Sequence, residues 1–338
     1  MNRWAIGLLI LAFFSVIISV STGDEVSFSE ALSVLWHHLT FGYGTAPDPI
    51  ADRIVWRLRL PRALLALIVG GGLGIIGAAM QALVRNPLAE PYILGISSGA
   101  TAGASLFYLG FLPPLISKAV SMPVAAFAGG LCAILIVYSV AGGRGHLSVT
   151  RLLLAGVAVA SLMGALSSFI TLSSPEPDKL RSVLFWLLGS LHLATWSTLI
   201  WPSIAVVIGL ISLLVLARPL DGMLTGDESA HSLGVQVESI KRILIILASL
   251  VTGSIVAASG AIGFVGLIVP HAVRSVTGVT HRRVLPASFI AGAVFLLWAD
   301  LVARAILPGA QLPVGIVTAL CGVPFFLILL RRSNYGFG

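Results

Sequence analysis

Apolar residues run through this chain in stretches of about twenty, from Trp4 to Leu330, and charge is confined mostly to the gaps between them. That repeat narrows the possible folds more than any other feature. A bilayer's hydrocarbon core is about 30 Å thick, and a helix rising about 1.5 Å per residue needs about 20 residues to cross it. Lipid offers no partner for backbone N–H and C=O groups, so only helices and closed barrels can span. The runs are continuous rather than alternating, which selects helices. Ten candidates lie at 4–21, 62–84, 93–110, 116–140, 151–172, 194–216, 241–259, 261–277, 286–305 and 313–330. The fold expected is therefore all-α and polytopic, one domain over 1–338 with about ten transmembrane helices. Only 10% of residues are charged, against about 25% in a soluble domain. Too little polar surface remains to cover a water-soluble body.

Basic residues orient the chain. With both termini in the cytoplasm, 12 of the 20 Lys and Arg fall on the inner side, among them Arg85, Arg151, Lys241 and Arg274. This agrees with the positive-inside rule and accounts for the net charge of +7. No basic–aromatic surface suited to nucleic acid accompanies it. Four of the eight exceptions, Arg53, Arg57, Arg59 and Arg62, crowd one outer stretch. The first run follows Arg3 and is longer than a signal peptide's apolar region, which favours a retained helix. Cys132 and Cys321 sit in apolar runs with no metal-ligand spacing, and are expected to be buried small hydrophobes.

Three pieces do not span. An outer segment over 22–61 carries a weakly amphipathic stretch (Phe28, Ala31, Leu32, Leu35, Trp36) and a Gly/Pro break over Gly42–Pro49. Around Ser173–Thr195 lies an apolar piece, Phe185 to Leu191, too short to cross and suited to a half-helix lining a cavity. The third is an inner loop over 218–239. Within it, Asp227 to Gly234 reads as one short helix, with Asp227 capping its start, Gly234 ending it, and Ala230, Leu233 and Val235 offering an apolar contact. It is either a docking element or a solvated loop. The Gly70/Gly74 pair, thickened by Gly71, Gly72 and Gly77, suits close helix packing, as do Gly260, Gly263 and Gly266.

Ionisable groups at membrane depth are sparse. Asp300 and Arg304 are four apart and share a helix face. Glu90 follows Pro87, and His271 follows Pro270. No zinc-hydrolase, nucleophile–base or paired-carboxylate pattern is present, so the chain is not expected to be an enzyme. A secondary transporter would need coupling carboxylates near the midplane, and Asp300 is the single acidic candidate. No GxxxxGK[ST] loop occurs, so any nucleotide chemistry belongs to another chain.

The order of motifs carries a resemblance. Arg59-Leu60-Pro61-Arg62 is followed by Gly77-Ala78-Ala79-Met80-Gln81, then Arg85-Asn86-Pro87-Leu88-Ala89-Glu90-Pro91 with Leu94-Gly95. His146-Leu147-Ser148, Arg151 to Val157, Phe185-Trp186 with Gly189-Ser190, and Gly226-Asp227-Glu228 with Leu233-Gly234 come next. Gly260 to Leu267, Pro270-His271, Asp300 with Ala303-Arg304, and Leu312-Pro313-Val314-Gly315 complete the set. Over nearly its whole length the chain resembles the FecCD family of ATP-binding-cassette importer permeases of type II.

The resemblance implies a permease that alternates access in a bacterial cytoplasmic (inner) membrane. It also implies a second permease copy, two cytoplasmic ATPase subunits that bind the ATP and Mg, and an extracytoplasmic binding protein. An inverted repeat between helices 2–5 and 7–10 is implied too. The cargo classes are ferric siderophore, which leads, then haem and cobalamin. Family positions for binding-protein docking match Arg59, Arg62 and Arg304, with lipid-headgroup anchoring as the plainer reading. Inner-gate positions match Asn86 and Leu88 on one loop and Val149 and Thr150 on another, against simple structural punctuation by Pro87 and Pro91. The ATPase-coupling helix matches Gly226, Asp227, Glu228, Ala230, Leu233 and Gly234. Many members have Glu where this chain has Gln311, which removes a charge near Arg304. The alternative of another class is an ion-coupled secondary transporter.

Overall fold

The computed structural model describes residues 3–23, 25–42, 47–143, 146–173, 183–306 and 312–332. In chain order the helices are α1 (Arg3–Ser21), α2 (Phe28–Leu39), α3 (Pro49–Val84), α4 (Ile96–Tyr108), α5 (Pro114–Ala119), α6 (Met122–Ala141) and α7 (Val149–Leu172). They continue as α8 (Trp196–Val215), α9 (Ala217–Met223), α10 (Asp227–Ser232), α11 (Val237–Ser259), α12 (Val265–Thr277), α13 (His281–Ile306) and α14 (Val314–Arg332). Each of the ten apolar runs is thus a helix. Among the described residues, six helices are long and apolar enough to cross a membrane. A two-residue antiparallel pairing, Gly142–Gly143 with His146–Leu147, closes the turn between α6 and α7.

α3 is the axis of the molecule and is buried along most of its length. Its small residues let neighbours approach backbone to backbone. A Cβ on Gly70 would collide with the Gly292 carbonyl of α13, and one on Gly74 with that of Ser288. The same device seats α4 on α6 through Gly99 against Gly129. In lipid such packing, rather than expulsion of water, drives helix association.

α3 begins earlier than the sequence suggested. Asp48 caps it, accepting the N–H groups of Ile50 and Ala51, and Pro49 takes the first turn. Residues Arg53–Arg59 are wound as a π-helix. Pro61 explains the loosened turn, because its ring crowds the carbonyl four residues back and it has no N–H to donate. Arg59 and Arg62 therefore lie within a helix rather than in a loop. The outer segment 22–61 also contains α2, fixed at its start by a reciprocal Ser27–Glu30 capping box. α2 buries Ala31 and Val34 and exposes Phe28, Leu32, Trp36 and Leu39, as a helix lying in the outer interface does.

Two of the helices formed by the ten apolar runs are clearly too short to cross. α4 and α12 each have 13 residues, roughly 20 Å. Each follows a long helix, and each starts from a left-handed residue, Gly95 (φ 78°) and Phe264 (φ 68°). Gly266 of α12 packs on Gly77 of α3, and Gly95 packs on Gly156 of α7. Both contacts lie seven residues from an inner helix end, at Val84 and Val149, so both breaks sit roughly 10 Å into the bundle. Each half of the chain thus has a long helix followed by a half-helix, α3 with α4 and α11 with α12.

The cysteines differ from expectation. Both Cys132 and Cys321 are exposed on the exterior of the bundle. An apolar thiol there is sheltered by lipid or a partner rather than by the chain's own core. Gln311 lies outside the described residues, as does part of the 173–195 segment.

Candidate functional site

At the outer end, one carboxylate organises two arginines. Asp300 of α13 is fully buried. Arg62 grips it with a fork, Nε at 3.0 Å from Oδ2 and Nη2 at 2.9 Å from Oδ1. Arg304, one turn along α13, brings Nε to 3.3 Å of Oδ2 without hydrogen-bond alignment. Its Nη2 donates instead to the Ser19 carbonyl and hydroxyl of α1, at 3.2 and 3.0 Å. Arg59 donates to the Val20 carbonyl at 3.1 Å. The Asp300–Arg304 pairing read from the sequence is present, but the bidentate partner Arg62 was missed, since 238 residues separate it from Asp300. The three matched arginines thus bind α1, α3 and α13 together, and Arg53 and Arg57 are the exposed charges of the cluster.

Inside the bundle the two helix breaks meet. The Glu90 carboxylate accepts the Phe264 N–H at 2.6 Å. The Tyr92 hydroxyl donates to the Ile262 carbonyl at 3.0 Å and accepts the Ile262 N–H at 3.1 Å. Glu90 also sets negative charge at the start of α12, where the helix dipole favours it. Beside this junction the helical piece at 183–187 is wedged in, and Ser190 N–H donates to the Ser259 carbonyl at 2.8 Å. It lines an apolar cavity of about 570 Å³ with Ala261, Gly315, Ile316 and Leu320, through its Leu187 and Leu188. The sequence suggested such a piece over Phe185–Leu191; the helix ends at Leu187, and Leu188 faces the cavity from the turn that follows.

The inner end holds the candidate gates. α3 stops at Val84 because Arg85 turns left-handed (φ 55°). Asn86 then folds the loop on itself, its Oδ1 accepting the Leu88 N–H at 2.8 Å. Asn86 is exposed and Leu88 half-buried. On the second loop, Ser148 caps α7, leaving Val149 half-buried and Thr150 exposed. Both loops adjoin the ends of long helices, Val84 of α3 and Val149 of α7, that the charge pattern places on the inner side.

The expected coupling helix is α10, with one correction. Asp227 does not cap it. Gly226 (φ 111°) occupies the cap with no side-chain bond. The Asp227 carboxylate is drawn away to the Lys241 ammonium at 2.6 Å and toward Arg85 at 3.7 Å, and a charged partner outcompetes a backbone N–H. Gly234 (φ 81°) does end the helix, as expected. Ala230 is fully buried, whereas Leu233 is 71% exposed. Glu228 is also exposed.

Comparison with known proteins follows the same outline. The FecCD transport family pattern matches residues 8–332. The cobalamin import system permease protein BtuC of Halobacterium salinarum is 46% identical over 301 residues, covering 88% of this chain and 79% of that one. The hemin transport system permease protein HmuU of Yersinia pestis is 40% identical over 334 residues, covering 98% and 96%. Among solved structures, one described as an inward-facing conformation of a metal-chelate type ABC transporter superposes with a TM-score of 0.84. It is 30% identical, with 98% of this chain and 99% of that chain covered. The PsaBC structure from Streptococcus pneumoniae, at 17% identity and a TM-score of 0.53, shares the fold.

Proposed function

The chain belongs to the FecCD transport family, as the membrane-spanning permease of an ATP-binding-cassette importer, and on that premise we propose that it carries a metal chelate inward by alternating access. In this reading two copies line one pathway in the cytoplasmic membrane. Two separate ATPase subunits supply the ATP and Mg chemistry, and a binding protein delivers cargo from outside. The chain itself catalyses nothing.

The observation that carries the reading is α10. A six-residue helix holds Ala230 in the core and offers Leu233 to the cytoplasm beside the Asn86 loop. An exposed leucine on a pinned pedestal suits an ATPase groove, with Glu228 at its edge and Gly226 and Gly234 bounding it. Asn86, Leu88, Val149 and Thr150 then close the inner end against their counterparts in the second copy. Outside, Arg62 and Arg304 share one buried carboxylate and Arg59 is held by the Val20 carbonyl, so the three keep a positive surplus at the rim for an acidic binding-protein surface.

The relatives named above are cobalamin and hemin permeases, so cobalamin takes first place for cargo, haem second, and ferric siderophore follows. The test is uptake into vesicles holding this chain, its ATPase and its binding protein, with labelled cobalamin, haemin and a ferric siderophore offered in turn. Uptake that needs both ATP and binding protein is expected. Uptake that ignores ATP and follows an ion gradient would overturn the reading in favour of a secondary transporter.

A further inference from the structure

Four charged side chains at the inner face form one unbroken connection between elements that the function treats separately. Asp227 opens α10. Its Oδ2 lies 2.6 Å from the Lys241 ammonium and its Oδ1 lies 3.7 Å from Arg85, the residue just before Asn86. Lys241 sits in the first turns of α11 with only 4% of its side chain exposed, and its ammonium is also 3.5 Å from Glu238 Oε1. The other oxygen of Glu238 accepts the Leu147 N–H at 2.8 Å. Leu147 lies two residues before Val149. The connection therefore runs from the first gate loop through α10 and α11 to the second gate loop.

We propose that Lys241 and Glu238 are positioning residues that transmit movement of α10 to both gate loops. The reading rests on the coupling and gate roles proposed above. The physical ground is that the ammonium has two acceptors and holds them unequally, at 2.6 and 3.5 Å. A small displacement of α10 by a docked ATPase changes which carboxylate it favours. If Lys241 leaves Asp227, Arg85 is the cation positioned to take its place. If Lys241 turns wholly to Glu238, that carboxylate is pulled from the Leu147 N–H. Lys241 is the buried member, with 4% of its side chain exposed, and leaving its ammonium unpaired is costly, whereas Asp227, Glu238 and Arg85 are 39%, 31% and 44% exposed and are free to exchange partners. Rearrangement is therefore between discrete pairings, which is what a coupling element with two arrangements requires. The four charges sum to zero, so either pairing keeps the cluster neutral.

The test uses the assembled complex in proteoliposomes, with uptake per ATP hydrolysed as the first readout. Lys241→Met should leave ATPase capture and hydrolysis unchanged and lower uptake per ATP about tenfold, within the usual span of coupling energies. Lys241→Arg should restore most of it, since Arg reaches both carboxylates, whereas a purely packing role would not respond to the returned charge. The second readout is amide hydrogen exchange over 146–150, which needs no cargo. Glu238→Ala should accelerate it directly, and Lys241→Met should alter it at a distance. Unchanged uptake per ATP in Lys241→Met, or exchange at 146–150 that ignores both variants, overturns the relay. Absence of ATP-driven uptake in the unaltered chain instead sinks the importer reading, and the exchange readout still decides whether the connection exists.

Discussion

At the scale of single residues, Asp300 is the most consequential side chain outside the gates. It is wholly buried between Arg62 and Arg304. Asp300→Ala would leave two guanidiniums facing each other with no counter-charge, and breaking a buried pair from one side costs about 3–5 kcal/mol. Arg304→Ala should cost much less, because Arg62 keeps its fork on the carboxylate. Thermal unfolding in detergent should therefore rank Asp300→Ala well below Arg304→Ala, and equal losses would argue against this order. The sequence exposed the i,i+4 half of the cluster but hid Arg62, as helix spacing reports only on neighbours within one helix. Asp227 illustrates the converse. Its position suggested a cap, and the local rule failed because Lys241 lies within reach only after folding.

At the scale of elements, the α3–α13 seam and α10 make opposite predictions. Gly74 faces the Ser288 backbone, which cannot move aside as a side chain could. Gly74→Leu should cost at least the roughly 1–3 kcal/mol typical of overpacking, and should abolish a monodisperse peak on size exclusion. Gly164 of α7 has nothing within 4 Å of a built Cβ, so Gly164→Leu should elute as the unaltered chain does. At the C-cap of α10, Leu233→Ala removes an exposed side chain and should leave folding alone. Its expected effect is about tenfold weaker ATPase capture, as for a single interface anchor, read by pull-down with the purified ATPase. Helix positions were legible in the sequence because twenty apolar residues leave lipid few alternatives. The π-wound start of α3 and the meeting of the two breaks were not, since both depend on strain and on contacts between distant segments.

At the scale of the whole molecule, charge and mechanics are divided between the two faces. Outside, Arg53 and Arg57 are exposed while Arg62 is committed to Asp300. Reversing both to Glu should slow binding-protein association at low salt without lowering stability, and the difference should fade as salt screens the rim. Surface-plasmon kinetics at two ionic strengths would show it, and an unchanged association rate would count against the rim's steering role. Inside, the Asn86 loop is held at both ends, and at the first the Asn86 N–H donates to the Gln81 carbonyl of α3 and Arg85 faces Asp227. Glu90 and Tyr92 tie its far end to residues 262–264, at the point where α12 begins. The loop is thus a short strap between two anchors, one on α3 and one at the start of α12. If Leu88 gates the pathway as proposed, its movement would pull on both anchors, and the second half-helix would feel every opening of the first loop.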